Sequence, residues 1–168
     1  YVDATTIKSL YYSLFHTHLT YGCLTWGLAC KNTLSRLSML QQQAIRIITF
    51  SCYSDPTSNL FSKLEIMKLD YEITLSISLF MHDWHWRRLP TSIDKFFNYH
   101  SSKVSTRASE LAKLSVPVRR TEIYGSSNIK FKGAVLYNHL HDIDIKIYNY
   151  SKSMFRKKIK TLLVAAYV

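Results

Sequence analysis

The chain reads as mainly α, and three observations predict it. Gly and Pro are scarce, at 4 and 3 of 168 residues, which disfavours a turn-rich sandwich. Hydrophobic residues make up 47% and aromatics 14%, enough for a sizeable core. Apolar residues also recur at three- and four-residue spacing through most of the first hundred positions and again at the C-terminal end. The expected arrangement is a helical module over 1–97, a basic loop with a small β-hairpin over 98–132, and a helical segment over 133–168. The last segment ends in a basic amphipathic helix, and the three form one domain overall.

The elements follow in order. Ile7, Leu10, Tyr11, Leu14, Phe15 and Leu19 predict a helix over 4–20, which Gly22 and Gly27 interrupt. Asn32 is the expected N-cap of a helix over about 33–50, whose inner face would carry Leu34, Leu37, Leu40, Ala44, Ile45 and Ile48. Asp55-Pro56 breaks the chain before a short helix near 57–66. Asp70 is then expected to cap a helix from 71 to about 86, which Leu89-Pro90 ends. Over 98–127 the chain turns Ser-rich and basic. Leu114, Val116 and Val118 alternate like a strand, as do Ile129 and Phe131, and a short helix is expected over 133–141. Ser151 is expected to cap the final helix, with Phe155, Ile159, Leu162, Leu163 and Ala166 as its apolar stripe.

Charge separates the two parts of the chain. The net charge is +11; residues 1–100 hold 9 Lys and Arg against 7 Asp and Glu, whereas residues 101–168 hold 13 against 4. Such a one-sided excess points to a polyanionic partner. Cations interleave with aromatics at Arg119, Arg120, Tyr124, Lys130, Phe131 and Lys132, and again at Tyr148, Tyr150, Lys152, Arg156 and Lys157. Lys and Arg neutralise phosphates while aromatic faces stack on unpaired bases. The alternative is a solvated basic surface over core aromatics.

Other chemistries find little. No charge interrupts the 22 residues from Ser9 to Cys30, but only 13 of them are apolar and His16 and His18 lie among them. A membrane span is not expected. Cys23, Cys30 and Cys52 lack both a disulfide framework and the close spacing of structural zinc ligands, and no secretory signal opens the sequence. His139, His141, Asp142 and Asp144 read as a solvated loop rather than a metal site, so no cofactor is expected. No local signature marks a nucleophile with its base.

Taken in order, the landmarks form a series: "HTHLTYGCLTWG" (16–27), "LSRLSMLQQQAIRIIT" (34–49), "LFSKLEIMKLDYEITLSISLFMH" (60–82), "STR" (105–107), "RRT" (119–121), "KGAVLYNHL" (132–140) and "SMFRKKIKTLL" (153–163). Over roughly residues 7–165 this resembles the C-terminal, post-thumb region of non-LTR (LINE-type, jockey-like) retrotransposon reverse transcriptases. The resemblance implies a fragment of a longer RNA-directed DNA polymerase. The fragment would act in the nucleus, is not secreted, and partners template RNA, target DNA and the rest of the polymerase. The family's paired palm aspartates do not occur here, so the chain is not expected to polymerise alone, and Mg is expected only in the missing palm. Gln42-Gln43 stand where the family often has two lysines, Tyr137 where it commonly has Trp, and Leu140-His141 where it has Leu-Pro. Such departures fit a divergent element or a decaying copy.

The expected phosphate contacts are Arg107, Arg119, Arg120, Lys130 and Lys132, with Arg156, Lys157 and Lys160 as a second set; the alternative for the second set is a docked helix with solvated lysines. Tyr21, Gly22, Trp26 and Gly27 are expected to be structural, locking the first helix onto the second. The functional alternatives are a helical protein-interaction module and a nonfunctional relic of a mobile element.

Overall fold

The structure, a computed structural model, describes residues 3–99, 113–118, 121, 125, 127–143, 145 and 147–165. It is mainly helical, as the spacing predicts, and among the described residues there is no strand. The chain divides into two compact units: Tyr1–Thr74 with Thr161–Val168, and Leu75–Lys160.

The first unit opens with α1 (Ala4–Leu10), a π-helical segment (Tyr11–His16) and α2 (Thr17–Thr20), which together fill the helix expected over 4–20. α3 (Cys23–Trp26), α4 (Lys31–Thr49) and α5 (Thr57–Leu64) follow, with the start of α6 (Leu69–His85). Tyr11, Ile45, Ile48, Phe61 and Ile66 form its buried cluster, with Ile7, Phe15, Ala44, Leu60 and Leu64 packed against them. The N-cap of α4 is Cys30 and not Asn32, because the chain is already helical at Lys31. The exposed Cys30 thiol lies 3.2 Å from the Thr33 hydroxyl, and that hydrogen bond is the first cause holding it below its ordinary value.

The inner face of α4 also differs from expectation. Leu40 is exposed, and Gln41 takes the core position next to it. Its amide is fully employed there: Nε2 donates to the Tyr11 hydroxyl (3.0 Å) and the Met67 carbonyl (2.8 Å), while Oε1 accepts the Leu69 N–H (2.9 Å). A buried amide is tolerated when its polar atoms are satisfied, and this one ties α4 to the π segment and to the start of α6.

The second unit contains the rest of α6, α7 (Thr91–Asp94), α8 (Ile129–Asp142), a 3₁₀ turn (Ile147–Asn149) and α9 (Lys152–Ala165) as far as Lys160. Met81, Trp84, Phe97, Tyr137, Phe155 and Ile159 are among its buried residues. At Gly133 a Cβ would meet Met81 Sδ at 2.8 Å and the Phe97 ring at 3.1 Å, so the missing side chain is what lets α8 lie against α6. Ile129 and Phe131, expected to alternate as a strand, belong to α8. Asn128 starts that helix four residues early by accepting the Lys130 N–H (3.0 Å).

Of the expected hairpin, the described residues show an isolated antiparallel bridge between Tyr99 and Leu114. The strand-like stretch is clamped by a side chain instead: Asn138 accepts the Leu114 N–H (2.8 Å) and donates to the Leu114 carbonyl (2.9 Å). Asp70 lies in the first turn of α6 rather than at its cap; a carboxylate there still complements the helix dipole.

Candidate nucleic-acid interface

α9 follows its expected apolar stripe only in part: Leu162 is exposed, Leu163 is half-buried, and Ala166 lies outside the described residues. Phe155 and Ile159 are buried, and Arg156, Lys157 and Lys160 are exposed. At roughly 100° per residue, Lys157 and Lys160 fall on the side of the helix away from Phe155 and Ile159, and Arg156 falls on its flank. Arg156 and Lys160, one turn apart, and Lys157 and Lys160, three apart, are neighbours. The helix therefore presents a cluster of positive charge while its opposite stripe is anchored.

Two further lysines of α9 were not among the expected contacts. Lys152 donates to Asp83 Oδ2 at 2.6 Å, which ties the first turn of α9 to α6. Lys158 stands 5.6 Å from the centre of the Tyr150 ring. Helical spacing places Lys158 beyond the Arg156–Lys160 cluster, but the contacts of both side chains belong to the fold.

The expected contacts on α8 are half-buried rather than displayed. Lys130 Nζ sits 4.2 Å over the Phe96 ring, a cation–π contact, and Lys132 is also half-buried. Arg107, Arg119 and Arg120 lie outside the described residues. Asp142, which the sequence sets beside His139 and His141, is ion-paired with Lys113 at 2.6 Å. That lysine holds its carboxyl below the usual carboxylate range. Among the described residues no group of three or more His, Cys, Asp or Glu is placed to hold a metal ion.

The four structural residues of the first unit build a turn. Gly22 adopts the left-handed conformation (φ 61°), and the Trp26 indole N–H donates to the Tyr21 carbonyl at 2.8 Å. Gly27 is buried; a Cβ there would collide with the Cys23 carbonyl oxygen and meet Ile73 Cγ1 at 2.9 Å. This turn thus packs against α6, not only between the first two helices. Tyr21 corrects the expectation: its side chain is 84% exposed, and its part in the turn is its backbone carbonyl.

The uncharged run from Ser9 to Cys30 is cut by the Gly22 turn, and among the described residues no helix is long and apolar enough to cross a membrane. No protein-family model, characterised protein or solved structure matches the chain.

Proposed function

We propose that this chain is the non-catalytic C-terminal region of a non-LTR retrotransposon reverse transcriptase, and that it helps hold template RNA, target DNA or their hybrid. The carrying observation is on α9, where Phe155 and Ile159 are buried while Arg156, Lys157 and Lys160 are exposed. An anchored helix offering three neighbouring cations can neutralise successive phosphates without reading base sequence. The ordered landmarks over residues 7–165 and the net charge of +11 support the same reading. Nuclear action follows from it, because such elements copy RNA at chromosomal sites. Polymerisation itself would require the palm aspartates of a longer chain.

Fluorescence anisotropy on an RNA–DNA hybrid across a salt series tests this. The affinity is expected to fall with log salt at a slope of about −0.9 per phosphate contact. The variant Arg156→Gln/Lys157→Gln/Lys160→Gln is expected to flatten that slope by about 2–3 with its melting temperature unchanged. A flat salt dependence in the unsubstituted chain, or no binding at low salt, rejects the proposal.

A second reading, a helical protein-interaction module, is favoured by the outer face of α4 and the loop after it. Met39, Ile47, Phe50 and Tyr53 are all exposed there, an unusual density of large apolar side chains.

A further inference from the structure

The second unit contains a pocket of about 380 Å³ lined by Trp84, His85, Arg87, Asp94, Phe97 and Tyr99. Its size falls at the low end for small-molecule sites, suited to one flat ring system with its sugar. Trp84 and Phe97 are buried, their rings edge-to-face with centroids 5.1 Å apart. Tyr99 is 49% exposed, with its ring centroid 5.9 Å from that of Trp84. The hydroxyls of Tyr99 and Tyr137 stand 3.5 and 3.4 Å from the same atom, His85 Nδ1. One ring nitrogen completes one such bond at a time, so the Tyr99 hydroxyl can turn to a ligand.

Two kinds of flat or compact ligand suit aromatic walls, an ammonium ion and a nucleobase. Charge decides between them. Arg87 lines the pocket, and the Lys130 ammonium sits 4.2 Å over the ring of Phe96, the residue beside Phe97. The Arg87 guanidinium can pair with the phosphate that a nucleotide carries and an ammonium ion lacks. Asp94, an acceptor when ionised, suits a base edge that carries N–H donors.

We propose that this pocket is a binding site for one unpaired nucleobase, stacked on the Tyr99 and His85 rings, with its phosphate toward Arg87 and its N–H edge toward Asp94. Guanine, whose N1–H and N2–H2 donors lie side by side, matches a carboxylate best. The site rests on the nucleic-acid reading above and adds a grip on single-stranded segments, where bases are unstacked and free to enter.

Quenching of tryptophan fluorescence in the whole chain tests the pocket, with GMP and ribose 5-phosphate as probes. GMP is expected to quench saturably and ribose 5-phosphate not. Tyr99→Ala is expected to weaken GMP roughly 5- to 100-fold, the range for loss of one stacking partner. Asp94→Asn, which keeps the packing volume, is expected to reduce the preference for GMP over UMP. Arg156→Gln/Lys157→Gln/Lys160→Gln should leave GMP binding intact. Equal response to GMP and ribose 5-phosphate overturns the pocket while hybrid binding with a steep salt slope keeps the broader reading. Saturable quenching by tetramethylammonium in place of GMP also overturns it. GMP binding without any hybrid binding rejects the broader reading and leaves a free-nucleotide site.

Discussion

The two units each place polar side chains in an apolar core, and they do it with different chemistry. In the first, Gln41 is buried with three partners and carries no charge at any pH. In the second, the buried polar residues among those described are Ser78 and a histidine, His82. His82 is 0% exposed; its Nε2 lies 3.1 Å from the Tyr150 carbonyl, and its ring lies against Phe155 with centroids 5.0 Å apart. His85, one turn along, is half-buried, and its imidazole is held below its ordinary value first by burial and then by His82. An amide clamp fixes geometry whatever the pH, while the His85 imidazole, with its lowered value, ties its unit to proton concentration.

The largest effect that would sharpen this comparison is Phe155→Ala. It removes the ring covering His82 and the main anchor of α9, and is expected to cost about 3–5 kcal/mol in urea unfolding. A loss below about 1 kcal/mol would mean that α9 is not docked through this residue.

Gln41→Leu comes next. It preserves the bulk but strands the Met67 carbonyl and the Leu69 N–H, with an expected loss of about 1–3 kcal/mol. If this variant is as stable as the parent, the amide is not a clamp and the contrast between the units fails.

The smallest effect is the pH dependence. With the folded value of His85 below 6.5, the unfolded chain binds the proton more readily than the folded one. Stability is therefore expected to be full above about pH 6.5 and to decline as the pH falls below it. His85→Gln should flatten that decline without altering behaviour above neutrality. An unchanged decline in the variant would assign the sensitivity to other groups.

The outer faces differ as well. That of α4 shows Met39 and Ile47 where that of α9 shows Arg156, Lys157 and Lys160. Both helices look amphipathic in sequence, and both leave apolar side chains exposed, Met154 and Leu162 on α9 among them. Solvent contact, and not periodicity, tells the two apart.

Much of the helical layout is legible in the sequence, because three- and four-residue apolar spacing and the breakers Gly22, Pro56 and Pro90 act within a few residues. The same spacing makes the opposed faces of α9 readable from Phe155 to Lys160. Tertiary structure alone decided the rest. Gln41 is in the core because its partners come from Tyr11, Met67 and Leu69, far along the chain. Ile129 and Phe131 became helical because the Asn128 cap and packing at Gly133 outweighed a two-residue alternation. The aromatic pocket joins Trp84 and His85 to Phe97 and Tyr99, and Lys130 meets Phe96 from another helix. Local periodicity holds no information about such meetings; they arise only when distant apolar surfaces are buried together.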